Sequence, residues 1–226
     1  MTGSADVLVQ DSPLGRNAIW QPSTPLCRIS NFLGESASGA LLERAVSAAG
    51  TDLSPSRVRN NQLEPRIRRS LTHRDFAAPE LTDAIEAVLD RVAQTLGVSC
   101  RDTRPTYSLI AHNDGDFYGP HQDAPSGSAA SGAAAGRRLS FVYYMHRTPA
   151  RFTGGQLRIY DTAAPLHAGH RESRPGTFRD VDAEHDSIVF FRPTALHEVR
   201  PVICPTHAYE DSRFAINGWM CRASGS

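Results

Sequence analysis

The stretch Ser187-Ile188-Val189-Phe190-Phe191-Arg192-Pro193-Thr194-Ala195-Leu196-His197-Glu198-Val199-Arg200-Pro201-Val202 decides the fold class. It reads as an apolar strand over Ser187–Arg192, a proline-bearing turn, and a second strand over His197–Val202. Similar short runs, separated by turn residues, lie upstream at Thr106–His112, Phe117–Asp123, Leu139–His146 and Gln156–Tyr160, and downstream at Phe214–Met220. Two helical patterns precede them. Leu41, Leu42, Ala45, Val46 and Ala49 recur at helical spacing over Ser36–Ala49, with Gly50 as a stop. Pro79–Leu96 carries a longer stripe of Leu81, Ile85, Val88, Leu89, Val92 and Leu96, opened by its proline and ended by Gly97. Helices followed by many short strands predict a mainly β, α+β protein, an antiparallel sandwich or barrel buttressed by helices on one side.

The chain has 226 residues and a formal net charge of zero, which fits one domain with a full core. Residues 1–25 are rich in Ser, Pro, Gly and Thr and read as a flexible N-terminal arm; 26–226 reads as the domain. A neutral balance gives no reason to expect nucleic acid or an acidic membrane as partner. The chain contains no lysine, so all 24 basic residues are arginine. Cys27, Cys100, Cys204 and Cys221 form no C-x-x-C pair, and reduced thiols in a cytoplasmic protein are expected. Neither a signal peptide of ordinary form nor a transmembrane span is expected. The tract from Ala124 to Gly136 is low in complexity. It reads either as a passive surface loop or as a lid over a neighbouring site.

That neighbouring site is suggested by three residues. His121 and Asp123 are two apart on an expected strand, so both side chains would face one side. His197 opens a strand that a sandwich can bring opposite them. Two imidazoles and one carboxylate can hold a divalent ion by one face and leave other positions open, a set that favours non-haem iron over zinc. His73, His146, His167, His170, His185 and His207 fall in polar or loop-like settings and read as solvated or locally hydrogen-bonded.

With Phe152-Thr153-Gly154-Gly155-Gln156-Leu157 and Arg213-Phe214-Ala215-Ile216-Asn217-Gly218-Trp219 in the same order, the chain resembles the prolyl-4-hydroxylase-like branch of the Fe(II)/2-oxoglutarate-dependent dioxygenases. The resemblance runs from about Arg66 to Trp219. It implies a double-stranded β-helix, or jelly roll, with N-terminal buttressing helices. It implies Fe(II) on His121, Asp123 and His197, with 2-oxoglutarate and dioxygen as cosubstrates and ascorbate as a reductant. Arg213 matches the basic residue for the distal carboxylate of 2-oxoglutarate. Tyr144 matches a tyrosine that commonly hydrogen-bonds the same group. His112 stands where many relatives carry a tyrosine near the cosubstrate. The interval from His197 to Arg213 is longer than the family pattern, with Cys204–Ser212 reading as an inserted loop. Arg200 competes for the role of Arg213, but three residues after His197 it would face the other side of the strand.

The implied reaction is hydroxylation of an unactivated C–H bond, coupled to decarboxylation of 2-oxoglutarate to succinate. Halogenating relatives lack the carboxylate at the position of Asp123. Nucleic-acid demethylases carry a second arginine six residues after the first, where this chain has Trp219. The expected substrate is an amino acid, a carrier-bound amino acid or a natural-product intermediate, with peptidyl proline as the alternative. A non-catalytic metal-binding jelly-roll module is the reading from outside enzymes. Tyr118, Arg138, Arg158, Arg192 and Trp219 are candidates for the substrate pocket. Arg57, Arg59, Arg66, Arg68, Arg69 and Arg74 form a basic strip, read either as a solvated edge or as a recognition surface for an anionic substrate or an acidic carrier protein.

Overall fold

Strict alternation along three strands sorts the core into two layers. Leu139, Phe141, Tyr143 and Met145 point one way and meet Ile188, Phe190, Phe214, Ile216 and Met220 from neighbouring strands. Val142, Tyr144, Val189, Phe191 and Ala215, from the intervening positions, point the other way into a second cluster. Successive side chains of a strand take opposite faces, so one sheet serves both layers.

The computed structural model describes residues 23–50, 52–58, 61–124, 132–161 and 177–222. In chain order its elements are β1 (Leu26–Ser30), α1 (Glu35–Ser47), β2 (Leu53–Pro55), β3 (Arg68–Arg69), β4 (Leu71–His73), α2 (Pro79–Leu96), β5 (Thr103–His112) and β6 (Phe117–His121). They continue with β7 (Arg137–Met145), β8 (Thr153–Gly154), β9 (Leu157–Asp161), β10 (Thr177–Val181), β11 (Ser187–Phe191), β12 (His197–Val199), β13 (Val202–Ile203) and β14 (Arg213–Arg222). The larger sheet has the order β1-β11-β7-β14-β5-β4-β2, the smaller β10-β9-β12-β6-β3, and β13 pairs with β8. All named strand pairings are antiparallel. Leu157 and Ile159 of the smaller sheet meet Val142 and Tyr144 of the larger one, so the two sheets close on each other as a jelly roll. The other face of the larger sheet is covered by Leu41 of α1 and by Leu81, Ile85 and Leu96 of α2.

The second helix keeps its expected bounds, Pro79–Leu96. Its last turn ends at Gly97 in the left-handed region, φ 61° and ψ 43°. The first helix runs from Glu35 to Ser47 rather than Ser36 to Ala49. Two strands end earlier than expected. The strand from Phe117 stops at His121, so Asp123 lies just beyond it in a bend. The strand from His197 stops at Val199, and Val202–Ile203 pairs separately with Thr153–Gly154. Strands β1 and β10 had no counterpart in the sequence reading. β10 is an edge strand whose Phe178 is exposed, and β1 borders the Ser- and Pro-rich arm, so neither presents a clean apolar pattern. The last residues of that arm are tied down: Thr24 donates its backbone N–H to Asp161 Oδ1 and its hydroxyl to the Tyr160 carbonyl. Residues 1–22, and residues 125–131 of the candidate lid, lie outside the described residues.

Candidate metal and cosubstrate site

The ladder between β12 and β6 sets His197 directly opposite His121. Their ring centroids are 4.1 Å apart. Asp123, two residues past His121, closes the group: Oδ1 lies 3.8 Å from His121 Nε2 and Oδ2 lies 3.8 Å from His197 Nε2. One ligand atom from each of the three lies within 4.8 Å of the others, close enough for a single ion to reach all three. Both imidazoles are oriented alike. His121 Nδ1 faces the Gly119 carbonyl and His197 Nδ1 the Ala195 carbonyl, each at 2.9 Å. A carbonyl can only accept, so Nδ1 carries the proton and Nε2 keeps its lone pair for a metal.

Surrounding groups fix the triad. The Ser140 hydroxyl donates to Asp123 Oδ2 at 2.6 Å, and Arg137 Nη1 donates to the Asp123 carbonyl at 2.7 Å. Tyr118 stacks on His121 at 3.6 Å with 17° between the rings, and Phe191 meets His197 edge-on. Burial, reinforced by the facing His197, lowers His121 to about 3, so its imidazole stays neutral at ordinary pH. Burial on its own raises the Asp123 carboxyl. The facing His197 and His121 and the Ser140 hydroxyl outweigh it and hold the group below the usual carboxylate range.

Behind the triad lies a buried cation. Arg213 starts β14 and is 1 % exposed. Its Nε donates to the Gly155 carbonyl at 2.7 Å, and Nη1 reaches His112 Nδ1 at 3.4 Å. The Arg213 guanidinium lies 4.9 Å from the centre of the Tyr144 ring, and the strand register explains why. Ala215 pairs with Tyr144 and Arg213 with His112, so both neighbours flank the arginine on the inner face. Among the described residues no carboxylate forms an ion pair with Arg213. Arg213 Nη2, the Tyr144 hydroxyl and His112 Nε2 are all buried without a formed hydrogen bond. Burial lowers Arg213, opposed by Tyr144, and pushes the Tyr144 hydroxyl up to about 12. An unpaired buried guanidinium costs several kcal/mol, roughly, unless an anion reaches it. Together the three donors suit a carboxylate, so this floor fits the distal end of 2-oxoglutarate. Two other facts agree. His112 is held well below its ordinary value, chiefly by burial and then by Arg213, and so stays neutral beside the cation. A Cβ on Gly155 would stand 2.6 Å from Arg213 Cδ, so the glycine leaves room for the arginine.

Triad and Arg213 open into one cavity of about 790 Å³. Of the candidates for the substrate pocket, Tyr118 and Trp219 line it. Arg138, Arg158 and Arg192 do not. Arg192 donates to the Leu96 carbonyl from Nε and Nη2 and so caps α2. Arg158 forms a two-pronged ion pair with Asp180 on the outer side of the smaller sheet. A bulge between β7 and β14 removes Arg138. Leu139 pairs with Met220 but Arg137 with Cys221, so one extra residue shifts the alternation and brings Arg137 to the inner face in its place. Arg200 pairs with Glu198 Oε1 at 3.0 Å, on the face away from His197, as its spacing predicts. The segment Cys204–Ser212 is tied in place. The Cys204 backbone N–H donates to Asp114, and the Tyr209 hydroxyl reaches the Ala45 carbonyl. Ser140 and Arg137, which hold Asp123, have no place in the sequence reading, because their signals lie in strand register and bulge position. Gly155 and Asn217 stand in the quoted motifs without a role, and gain one only beside Arg213 and the cavity.

Comparison with known proteins supports the same picture. The signature of the 2OG-Fe(II) oxygenase superfamily matches residues 107–221. An uncharacterised PKHD-type hydroxylase of Synechocystis is 40% identical over 112 residues, 50% of this chain and 34% of that protein. A prolyl 3-hydroxylase of Mus musculus is 26% identical over 164 residues, 71% of this chain and 24% of that protein. The chain thus spans well under half the length of either relative. Among solved structures, a prolyl hydroxylase of Trichoplax adhaerens, in complex with a hypoxia inducible factor peptide fragment, superposes with TM-score 0.64 at 21% identity, over 87% of this chain and 83% of that one. A Pseudomonas putida prolyl-4-hydroxylase gives TM-score 0.61 at 21% identity, over 88% and 94%. At these identities the structural likeness speaks for the fold. The signature covers half of the chain and contains all three triad residues and Arg213, and on that ground the chain belongs to the 2OG-Fe(II) oxygenase superfamily.

Proposed function

We propose that this chain is an Fe(II)- and 2-oxoglutarate-dependent hydroxylase acting on an amino acid, a carrier-bound amino acid or a natural-product intermediate. The observation that carries the reading is Arg213, a buried guanidinium without a carboxylate partner among the described residues, sharing one cavity with the His121–Asp123–His197 triad. A module that only bound metal would have no use for that uncompensated cation.

In this reading His121 Nε2, Asp123 and His197 Nε2 hold iron, with Ser140 fixing the carboxylate. When bound, iron, 2-oxoglutarate and dioxygen would together supply the oxidising chemistry, one oxygen atom of dioxygen going to the substrate and the other to succinate as carbon dioxide leaves. Arg213 and the Tyr144 hydroxyl anchor the distal carboxylate of the cosubstrate. His112, neutral and buried, supports Arg213. Leu157, Val199 and Phe191 line the cavity with apolar surface and exclude water around the reacting groups. Trp219 and Tyr118 border the space left for the molecule to be oxidised.

The prolyl hydroxylases among its relatives favour a second reading, a peptidyl proline as substrate. Succinate formation from 2-oxoglutarate with Fe(II) and ascorbate tests the common core of both. The wild-type chain should form succinate and Asp123→Ala should not. Absence of both succinate and 2-oxoglutarate binding would leave the metal-binding module standing.

A further inference from the structure

Five guanidinium groups line the single cavity that holds the triad: Arg57, Arg68, Arg74, Arg137 and Arg213. Among the described residues Asp123 is the one carboxylate in that lining. The charges of the proposed cofactors do not explain this excess. The two positive charges of the metal offset the two negative charges of 2-oxoglutarate, and Arg213 offsets Asp123. Arg57, Arg68, Arg74 and Arg137 remain, and among the described residues none of them is ion-paired.

Two of these arginines are fixed in place on either side of the triad. The Arg68 guanidinium sits 4.6 Å from the centre of the Tyr118 ring, and Tyr118 in turn stacks on His121. Its Nε also donates to Ser70 Oγ at 3.2 Å. Arg137 lies 3.6 Å from the centre of the Trp219 ring and is held by the Asp123 carbonyl. A guanidinium stacked on an aromatic face is pre-oriented, with N–H groups left for an incoming oxyanion. Arg57 and Arg74 are exposed at the rim. Burial lowers Arg68, and the nearby Arg74 cation adds to that. An anion between them would relieve both costs. The same cavity is lined by Asn217, whose Oδ1 is buried without a partner among the described residues and can accept from an N–H or O–H of the same molecule. The other arginines of the basic strip face elsewhere or lie outside the described residues. Arg69 is tied to the Gly115 carbonyl and sits over Phe117, Arg66 does not line the cavity, and Arg59 lies outside.

We infer that the molecule oxidised in this cavity is a small acid, a carboxylate or a phosphate ester, whose anionic group is received by Arg68 and Arg74, with Arg57 at the rim and Arg137 across the site. The inference rests on the oxygenase reading and narrows its substrate class. Because all four cations line one cavity, Arg57 and Arg74 at its exposed rim, they fit a small anion that enters it better than an acidic carrier docked outside.

Two measurements on the full chain test it. In the first, the protein is loaded with Mn(II), which should occupy the site without turnover, and with 2-oxoglutarate. It is then titrated with matched probes: N-acetyl amino acids against their carboxamides, and glycerol 1-phosphate against glycerol. Acids should raise the melting temperature and their neutral counterparts should not, and the responding pair distinguishes carboxylate from phosphate. R68Q and R74Q should each weaken the acid by about tenfold or more, the loss of one charge-assisted contact. Equal response to acid and neutral probes, or no response to any acid, overturns the inference. So does a change confined to the binding of 2-oxoglutarate, which would make these arginines an entry path for the cosubstrate. In the second, a W20F background leaves Trp219 as the single tryptophan. Relative to a free tryptophan amide, iodide should quench it more strongly than neutral acrylamide does, and R68Q or R74Q should shrink the difference. R74Q changes an exposed residue and keeps this test open if R68Q fails to fold. Equal quenching in the unsubstituted background overturns the inference. Failure of the oxygenase reading would show separately, as absence of succinate formation by the wild-type chain.

Discussion

Arg213 and Gly155, 58 residues apart in the chain, form one device: the Gly155 carbonyl accepts from Arg213 Nε at 2.7 Å, and the missing Cβ leaves room for the arginine side chain. Gly155 has φ 69°, a conformation that L side chains rarely adopt. Gly155→Ala would bring a methyl group 2.6 Å from Arg213 Cδ and 2.9 Å from Val202 Cγ2. The expected outcome is a rise in KM for 2-oxoglutarate of about tenfold or more, because small misplacements of a positioning group are costly. Stability should fall by roughly 1–3 kcal/mol. Steady-state kinetics and thermal unfolding of the variant check both.

Arg213→Met separates stability from binding. A buried, unpaired guanidinium replaced by an apolar chain of similar length should leave the cosubstrate-free protein as stable as before, or more stable by about 1–4 kcal/mol. Binding of 2-oxoglutarate should be lost. Melting temperatures measured with and without 2-oxoglutarate should show an equal or higher baseline and no ligand-induced rise.

Ser140→Ala removes the hydroxyl that holds Asp123 Oδ2 at 2.6 Å. Groups that orient a metal ligand typically carry about 10–100-fold in metal affinity. Competition for Fe(II) with a chelator should show a loss in that range while the circular dichroism spectrum stays unchanged.

Acid should unfold the metal-free protein through its buried imidazoles. His112 and His121 are both lowered from 6.5 by burial, His112 well below it and His121 to about 3. In the unfolded chain they take up protons near pH 6.5, whereas the folded chain resists until much lower pH. Between these values the unfolded state binds more protons, so stability is full above about pH 6.5 and falls as pH drops toward about 3. His112→Asn, which cannot be protonated, should flatten that slope in urea unfolding series run between pH 7 and pH 4. An unchanged slope would count against the buried imidazole as its source.

Much of this was legible in the sequence, and the failures share a cause. The helix Pro79–Leu96 was readable because its stripe, first-turn proline and terminal glycine all agree. The triad was readable because its three residues sit in or beside short strands with simple spacing. Asp123 reaches its place beside His121 and His197 from a bend, not from a strand, so the grouping was legible in the spacing and the local geometry was not. That Arg137 and not Arg138 turns inward depends on a bulge that only the pairing with β14 reveals. Arg158 and Arg192 look like pocket residues by position, but Asp180 and the end of α2 take them up. The cavity arginines 57, 68 and 74 were seen as a strip. Which of them turn inward depends on how β3, β4 and the segment after β2 lie against the jelly roll.

In the proposed function His121, Asp123 and His197 grip one ferrous ion while Arg213 holds a dicarboxylate behind it. Anaerobic calorimetry tests this most directly: Fe(II) is titrated into the wild-type, Asp123→Ala and Arg213→Met chains, and 2-oxoglutarate follows. Wild type should bind one Fe(II) per chain and then one 2-oxoglutarate, Asp123→Ala should bind neither tightly, and Arg213→Met should keep the metal and lose the cosubstrate. Undiminished iron binding by Asp123→Ala, or undiminished 2-oxoglutarate binding by Arg213→Met, would contradict the account.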